Sequence, residues 1–547
     1  MKSPANQKTA FISVFFILSL FIFILPVEGT NDPFNFQGFR PEQTYDIYGD
    51  ESINVFNGNL TISQPCSPKY TIDGGMTLQL MRTYNIPTWK YLNEPPGGYS
   101  DGYLQDKSPA GLGWTMHLGR ILLEDRTFDN MAYYQFITPD GAKHELEEIK
   151  VGPEETVYRT TDSTYYRVIF RDNVWTVNSR DGITYTLSEY LADEEEEESW
   201  DGWYTTQIED TSGNRIEVEY TYFGGHPYLQ YVDIVDGPNG DNQRRVIKIH
   251  YTNQGINDVL PWHCVDYIEC RGFDGHTAGN NNDWVIYNFA FIKHNVVNTP
   301  PPDMYGIYLE TNIDAAFLVA VDLPKWDEDG NQYVGFEYEY LGDMGLLDKM
   351  TYPTGSYVEY ELRAYDYPFC FCEEYFKRDS DPDQAEEHEA KKYPDEEKAP
   401  PCAGFWRTSY KIKDYIWKKR LNYKHREDSQ ESVYEWKYDI NSTISVTPEF
   451  TTVTDPNGNK TIYRFKITPF DEDDCPSGWY KSTDTLNEEI EYYRGGNKLV
   501  QEVFMVHKQD NDDPDDYNEP PKNPRLERME TVYHDENDQV AGSHTIT

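Results

Sequence analysis

The sequence has few basic residues for its length. Its 547 residues include 48 Lys and Arg against 95 Asp and Glu, which gives a formal net charge of −47. Nucleic-acid phosphates and anionic membrane surfaces both attract clustered Lys and Arg, so this balance argues against either as a partner. It favours solubility, a cationic partner, or a salty or calcium-containing medium. A solvated acidic surface is the simplest interpretation.

Long apolar runs are scarce, and the one example lies at the N-terminus. Residues 10–25 are almost entirely apolar, Lys2 and Lys8 precede them, and PVEG follows. This pattern predicts a secretory signal peptide that is cut near Gly29, with Val27 as the other small residue of the site. An uncleaved anchor is the alternative, although the run is short for a membrane span. We therefore expect a secreted or cell-surface protein with no further contact with the membrane.

Cysteine is also sparse. The seven cysteines are Cys66, Cys264, Cys270, Cys370, Cys372, Cys402 and Cys475. Because export permits disulfides, Cys264 and Cys270 are candidates to close a small loop, and the trio at 370, 372 and 402 is a candidate to staple the base of an acidic stretch. The odd count leaves at least one thiol free or intermolecular. Zinc is disfavoured because the only tight pair is C-x-C.

Standard catalytic patterns are missing as well. The sequence contains no G-x-S-x-G elbow and no Walker A loop. The stretch HELEE begins like a zinc-protease helix at His144, but Glu148 stands where the second histidine belongs. His117, His263 and His294 have no partner that spacing can assign. The sequence therefore predicts no enzymatic activity, no catalytic residue and no cofactor.

Calcium is a minor hypothesis for one segment. Asp327, Asp329 and Asn331 alternate as the oxygen ligands of a calcium loop do. Gly330, however, comes at the fourth place rather than the sixth, and Tyr338 stands at the twelfth, where a bidentate Glu is needed. A hairpin turn explains the segment without an ion, so no metal site is predicted.

What the sequence does have is tyrosine and one recurring turn phrase. Aromatic residues make up 15%, and 45 of them are tyrosine, which favours strands and supplies material for cores. The phrase places Asp, Asn, Pro or Thr before Gly and then alternates polar with apolar residues, as in TDPNGNKTIYRF at 454–465. Such phrases signal β-hairpins with one buried face. The turn glycines are Gly141, Gly182, Gly213, Gly330, Gly355 and Gly458.

These signals predict a mainly-β chain in which many antiparallel hairpins form a large curved sheet. The glycine spacing is too uneven for a strict solenoid. Composition divides the chain into a signal peptide (1–29), a β-rich region (30–365), an acidic insertion or linker (366–405) and a second β-rich block (406–547). The insertion is assigned because its sequence is charged, polar and interrupted by proline.

Three phrases near the N-terminus occur in a recognisable order. They are VFNGNLTIS at 55–63, GGMTLQLMRTYN at 74–85 and SPAGLGWTMHLGRI at 108–121, and turn phrases then lead to KMTYPTGSYVEYEL at 349–362. The succession, with GLGW as its most specific marker, resembles the N-terminal region of the Rhs family, also called YD-repeat proteins. The resemblance covers about residues 50–547.

The resemblance implies a structural part of a hollow β-shell rather than an enzyme. In toxins of this family the shell encloses a C-terminal toxic domain, so the implied partners are the remaining shell or a toxin cargo chain. Physical reasoning agrees for GLGW, because Gly111 and Gly113 permit close backbone approach and Trp114 can bury a large surface. Repeated Y-D-x-x-G-R-L phrases are lacking apart from the degenerate TVYHDENDQVAGSHTIT at the end. We therefore expect the front of a shell without its body or cargo.

A secreted carbohydrate-binding or adhesion module is the alternative, with a cell-surface glycan as its partner. The aromatic excess supports it, because Tyr and Trp rings stack on sugars. Aromatic residues clustered on an exposed sheet face would favour this alternative, and inward-facing ones would favour the shell. A hydrolase is a third hypothesis, and it needs carboxylates or histidines that converge in a pocket.

Overall fold

The structure, a computed structural model, describes twenty stretches of the chain. They are residues 43–72, 75–86, 89–91, 102–104, 108–126, 131–152, 155–191, 202–223, 226–237, 242–252, 262–272, 284–298, 311–326, 332–341, 345–372, 406–424, 431–440, 450–469, 481–510 and 523–547. Within these stretches every regular element is a β-strand, and no helix of a length and hydropathy suited to crossing a bilayer occurs.

The first part of the chain forms short strands. They are β1 (Tyr45–Tyr48), β2 (Glu51–Asn54), β3 (Leu60–Pro65), β4 (Tyr70–Thr71), β5 (Thr77–Leu78), β6 (Met81–Asn85), β7 (Trp89–Tyr91), β8 (Gly102–Leu104) and β9 (Trp114–Thr115). A five-stranded sheet has the order β1-β2-β3-β6-β9, and β4–β5 and β7–β8 are separate pairs. We call the described residues between 43 and 86, together with 108–118, the N-terminal segment.

The next strands form a closed barrel. They are β10 (Arg120–Arg126), β11 (Met131–Ile137), β12 (Lys143–Val151), β13 (Thr156–Thr160), β14 (Arg167–Arg171), β15 (Val174–Asn178), β16 (Thr184–Leu191) and β17 (Gly202–Glu209). Each strand pairs with the next, and β10 also pairs with β17 through Arg120↔Tyr204 and Ile121↔Trp203. The interior is apolar and aromatic, with Phe136, Trp175 and Trp203 packed together. Closure removes the two free edges that these strands would otherwise expose.

The remaining strands continue from the barrel in chain order. They are β18 (Arg215–Phe223), β19 (His226–Asp236), β20 (Asn242–Tyr251), β21 (Val265–Arg271), β22 (Trp284–Asn298), β23 (Thr311–Trp326), β24 (Gln332–Leu341), β25 (Leu346–Thr351), β26 (Tyr357–Cys372), β27 (Trp406–Lys424), β28 (Glu431–Ile440), β29 (Phe450–Thr454), β30 (Lys460–Pro469), β31 (Lys481–Arg494), β32 (Lys498–Lys508), β33 (Arg525–His534) and β34 (Val540–Ile546). We call β18–β34 the open sheet.

Barrel and open sheet together form one 25-stranded antiparallel sheet, in which every strand follows its predecessor. The prediction of a mainly-β chain built hairpin by hairpin is therefore confirmed. Strand β26 extends to Cys372, into the range that composition assigned to an insertion, and pairs with β27 as far as Cys372↔Trp406. The strands on either side of residues 373–405 thus belong to the same sheet.

Six hairpins whose turn residues are all described use one turn geometry. In each, the first residue's N–H donates to the fifth residue's carbonyl, and the fourth residue's N–H donates back to the first carbonyl. These turns span 138–142, 179–183, 210–214, 352–356, 455–459 and 535–539. The fourth residue has a positive φ, which glycine adopts without a Cβ clash; it is +76° at Gly458, and Asp538 takes the same place at +58°.

The predicted turn residues Gly213 and Gly355 occupy this fourth place, with φ of +80° at both. In the turn that contains Gly458, the Asp455 carboxylate accepts from the backbone N–H groups of Asn457 and Asn459, each at 2.8 Å. The Asp210 carboxylate accepts from Ser212 and Asn214 in the same way. An early Asp therefore organises the turn before the glycine reverses the chain. Gly330 lies outside the described residues.

Candidate functional site

The N-terminal segment packs along one face of the open sheet. Its backbone and side chains reach strands from β20 to β31: the Tyr70 hydroxyl donates to the Arg271 carbonyl at 2.8 Å, and the rings of Phe56 and Phe465 lie 4.9 Å apart. The largest buried apolar cluster of the described residues combines side chains of the segment with side chains of these strands. The segment therefore supplies the second layer that the buried face of an antiparallel sheet requires.

The GLGW stretch makes one of the close backbone contacts between the segment and the open sheet. Gly111 has a φ of +104°, and a Cβ there would lie 3.1 Å from the backbone nitrogen of Leu318 in β23. The next residue, Leu112, donates its N–H to the Ala316 carbonyl at 2.8 Å, and Gly113 has a φ of +75°. Gly111 thus lets the backbone of the segment lie directly on a strand of the open sheet, and the Gly113 carbonyl accepts from the Asn85 N–H of β6 at 2.9 Å.

Trp114 is the largest side chain at this contact, and it is fully buried. Its indole Nε1–H donates to the Tyr340 hydroxyl at 3.0 Å, and its ring lies 5.3 Å from Tyr84 and 5.0 Å from Tyr338. Tyr340 in turn donates to the Leu318 carbonyl at 2.8 Å. One side chain therefore connects β6 of the segment with β23 and β24 of the open sheet.

A buried arginine lies beside this tryptophan. Arg82 donates through Nη2 to the Gln64 side-chain oxygen and to the Tyr338 hydroxyl, both at 2.8 Å. Its guanidinium also lies 5.7 Å from the Trp114 ring and 5.4 Å from the Phe336 ring. Burial raises the pKa of Tyr338 to about 12, although the Arg82 charge acts to lower it. The tyrosine therefore stays protonated and keeps its hydroxyl as a donor to Gln64, at 2.5 Å.

A second polar contact joins the segment to β27. Lys419 Nζ lies 2.9 Å from the Glu51 carboxylate, and both side chains are almost completely buried. Tyr352 donates to the same carboxylate, and Tyr438 donates to Asp46 at 2.5 Å. Each of these pairs links residues about 300 or more positions apart in the chain. Buried charges of this kind require their partners, so the contact specifies one docking arrangement.

Three of the histidines singled out in the sequence occupy three different settings. His144 lies in β12, as the TPDG turn before it indicates, and its Nδ1 bonds to the buried Asp162 carboxylate. Asp162 also accepts from the Thr164 backbone N–H at 3.2 Å, so this pair holds the β13–β14 turn. His263 Nδ1 bonds to the Thr252 carbonyl at 2.7 Å. His294 stacks edge-on against Phe317, with the ring centroids 5.8 Å apart.

The cysteine expectation needs a correction. Cys264 and Cys270 are both free and buried, and Cys270 lies in β21, which starts at the residue after Cys264. An extended strand separates residues by roughly 3.3 Å each, so the two thiols lie too far apart to close the predicted small loop. Burial raises the pKa of the Cys66 thiol to about 12 and that of both other thiols further. Cys370 and Cys372 lie in β26, and Cys402 falls outside the described residues.

No group of three His, Cys, Asp or Glu side chains suited to a metal ion occurs among the residues that the structure describes. The calcium hypothesis at Asp327, Asp329 and Asn331 falls on residues outside that part of the chain. It therefore stays a hypothesis.

The far end of the open sheet returns to the barrel. Asn523, which is fully buried, donates its backbone N–H to the Thr161 carbonyl at 2.6 Å. Ser163 donates to the Pro524 carbonyl at 2.5 Å, and Arg525 donates to the Tyr165 hydroxyl at 2.7 Å. These partners are about 360 positions apart in the chain. We call this contact the return contact; it brings the start of β33 against the β13–β14 turn of the barrel.

Several aromatic residues lie exposed on β27, β28 and the adjacent β1. Tyr48, Tyr423 and Tyr434 are each more than 40% exposed. Tyr48 lies 5.3 Å from Trp436, and the Lys419 ammonium lies 4.7 Å from the Tyr48 ring. The register pairs Tyr423 with Ser432, which places Tyr423 and Tyr434 as diagonal neighbours on one face. We call these four rings the aromatic patch.

No family model matches this chain, and no curated protein matches it in sequence. Among solved structures it is similar to the N-terminal domain of the effector protein SpvB from Salmonella typhimurium strain LT2, at 15% identity and a TM-score of 0.28, over 55% of this chain and 99% of that one. It is also similar to TcdB2-TccC3, at 10% identity and a TM-score of 0.34, over 93% of this chain and 30% of that one.

A form of TcdB2-TccC3 without its hypervariable C-terminal region gives a TM-score of 0.35 at 10% identity, over 93% of this chain and 36% of that one. The chain thus spans about a third of the length of the TcdB2-TccC3 chains. TM-scores below 0.5 do not establish a shared overall fold.

Proposed function

We propose that this chain is a structural, non-catalytic part of a secreted protein. In this proposal its sheet is a wall segment of an Rhs-type β-shell that encloses or presents a second domain or chain, such as a toxin cargo. The observation that carries the proposal is the return contact, because a wall must curl back toward its own start to surround anything. Asn523, Pro524 and Arg525 make that contact with the barrel turn at Thr161–Tyr165.

The composition of the sheet supports the same role. A wall needs strand after strand with few interruptions, and 25 strands pair consecutively here. A wall also needs a second layer that stabilises one face of its sheet. The N-terminal segment is such a layer here, and it contacts the sheet through Trp114 and the Glu51–Lys419 pair. The acidic surface agrees with a protein that stays soluble outside the cell.

The test is the native mass of the protein isolated from the cells that produce it. We expect a particle larger than the 63.9 kDa of this chain, in which chemical cross-links join this chain to a further shell segment or cargo. N-terminal sequencing of the chain from the medium should begin near residue 30. A free monomer without any cross-linked partner would contradict the proposal.

A carbohydrate-binding or adhesion role is the second candidate, and the aromatic patch favours it. Exposed rings on neighbouring strands can stack on the apolar faces of sugars. The test is binding to an array of cell-surface glycans, with Tyr434→Ala as the variant and Tyr222→Ala as the control, since Tyr222 is 45% exposed but lies outside the patch. Glycan binding that only Tyr434→Ala abolishes supports this role, and a chain that retains no glycan excludes it.

A further inference from the structure

A small cavity lies where the N-terminal segment, the barrel and the open sheet meet. His117 of the segment, Arg120 of β10, Tyr220 of β18 and Tyr251 of β20 line it. Its volume is about 40 Å³. One water needs roughly 10–15 Å³ on this measure, so the cavity has room for one small ion or a water or two, but not for a sugar or a phosphate ester.

His117 directs a buried donor toward this space. The side chain is 6% exposed, and its Nδ1 accepts the Gly119 backbone N–H at 3.0 Å. Since Nδ1 carries no proton, the neutral ring carries its proton on Nε2. Nε2 has no hydrogen-bond partner among the described residues. A buried donor without an acceptor costs stability, so an acceptor in the cavity would be favourable.

The described residues of the lining carry charge of one sign. Arg120 is the only permanently charged residue among them, and they include no Asp or Glu, although the chain as a whole has about twice as many acidic as basic residues. The hydroxyls of Tyr220 and Tyr251 donate to the Thr205 and Leu229 carbonyls, at 2.7 and 2.6 Å. Burial, followed by the Arg120 charge, lowers the pKa of His117, which keeps the ring neutral at pH 7 and its Nε2–H in place.

We propose that this cavity binds one small monovalent inorganic anion, such as chloride, which accepts from His117 Nε2–H and faces the Arg120 guanidinium. The anion satisfies the buried His117 donor and is attracted by the nearby Arg120 charge. Bound there, it joins β10 and β17 of the barrel to the segment and to β18–β20. The proposal does not depend on the role of the chain as a wall.

The direct test uses crystals of the full chain grown with sodium bromide, with data collected at the bromine absorption edge. We expect an anomalous peak in the cavity within hydrogen-bond distance of His117 Nε2. A water molecule in the cavity without anomalous signal overturns the proposal. This test needs no variant, so it stays valid even if substitutions prevent folding.

A solution test asks whether the site fills below crystal concentrations. Chloride is titrated against a large anion, such as gluconate, at constant ionic strength, and Tm is followed. We expect Tm to rise by about 1 °C for each tenfold increase in chloride above its dissociation constant. A Tm that is the same in both salts shows binding at crystal concentration only and overturns the proposal.

Two variants at one position assign the effect to Nε2. His117→Asn retains an acceptor for the Gly119 N–H but removes the donor to the cavity, so we expect chloride affinity to fall at least about tenfold, the loss typical of one hydrogen bond to a charged group. His117→Gln can place its amide N–H near the Nε2 position and serves as the matched control, with the chloride dependence retained. An unchanged chloride dependence in both variants contradicts the assignment.

Discussion

The N-terminal segment covers one part of the open sheet and leaves another part uncovered. The two parts differ more in the burial of their side chains than in their sequence pattern. In β24, Phe336 and Tyr338 are buried beneath the N-terminal segment. In β33 and β34, Leu526 is 51% exposed and Val540 is 66% exposed, and every residue of β34 is exposed. Both parts consist of antiparallel strands joined by the same kind of turn.

This difference in burial shows that the hairpin pattern is enough to form the strands, whereas the N-terminal segment buries the side chains on one face of them. A sheet with one apolar face is stable only when another layer covers that face. The residues that connect segment and sheet, above all Trp114 and the Glu51–Lys419 pair, should therefore have large effects on stability. Residues of similar type in the uncovered strands should have small ones.

The largest effect is expected for Trp114→Ala. The change removes a fully buried ring and its bond to Tyr340, and should lower the free energy of unfolding by about 3–5 kcal/mol. Tyr533→Ala is the control, because this residue of β33 is 47% exposed and should cost less than about 1 kcal/mol. Urea denaturation followed by circular dichroism measures both. Equal losses in the two variants would remove the distinction between covered and uncovered strands.

The next effect is expected for Lys419→Met, which leaves the buried Glu51 carboxylate without its cation. Breaking such a pair should cost about 3 kcal/mol. Lys349→Met is the control, since its partner Glu339 is 62% exposed and exposed pairs contribute less than about 1 kcal/mol. The double variant Glu51→Gln/Lys419→Met should recover part of the loss. Equal losses of unfolding free energy in Lys349→Met and Lys419→Met would contradict this prediction.

A smaller effect concerns two turns of the same geometry. Gly458→Ala places a Cβ at a φ of +76° with no atom within 4 Å, so conformational strain alone should destabilise its hairpin by about 1 kcal/mol. Asp538→Gly relieves the same conformation at +58° and should stabilise its hairpin by about 0.5 kcal/mol. Hydrogen exchange at β29–β30 and β33–β34 measures the two changes. Shifts of the same sign would show that the two turns are not equivalent.

The smallest effect is a local pH dependence of the return contact. The hydrogen bond from Arg525 holds the pKa of Asp510 below its ordinary value. A lowered pKa in the folded state means that the contribution is present above the unfolded pKa, near 4, and is lost as the pH falls through the folded value. Exchange of the Asn523 amide should therefore speed up below about pH 4 beyond its intrinsic pH dependence. Asp510→Asn serves as the control and should lack this excess.

Much of the fold can be predicted from local sequence signals, but the long-range contacts cannot. Asp or Asn before Gly, followed by alternation, predicted the turns at Gly182 and Gly458, because the left-handed conformation favours glycine. The turn at 535–539 has the same hydrogen bonds but was missed as a hairpin, because Asp538 replaces the glycine signal. Barrel closure through Arg120↔Tyr204 depends on register between distant strands, which no local pattern encodes.

The candidate site was predictable only in part for the same reason. GLGW suggested a close backbone approach and a buried ring, but not that the partners would be Leu318 and Tyr340. The partner of His144 is Asp162, which reaches it across a hairpin rather than at a motif spacing. The Cys264–Cys270 prediction was wrong because closeness in sequence becomes distance along an extended strand.

The most direct test of the account is hydrogen exchange of the intact chain, resolved by strand. We predict that amides in β23–β25, beneath GLGW and Trp114, exchange far more slowly than amides in β33–β34, and that Trp114→Ala narrows this difference by speeding exchange in the covered strands. Equal protection of both groups in the unaltered chain would contradict the claim that the N-terminal segment stabilises the sheet from one face.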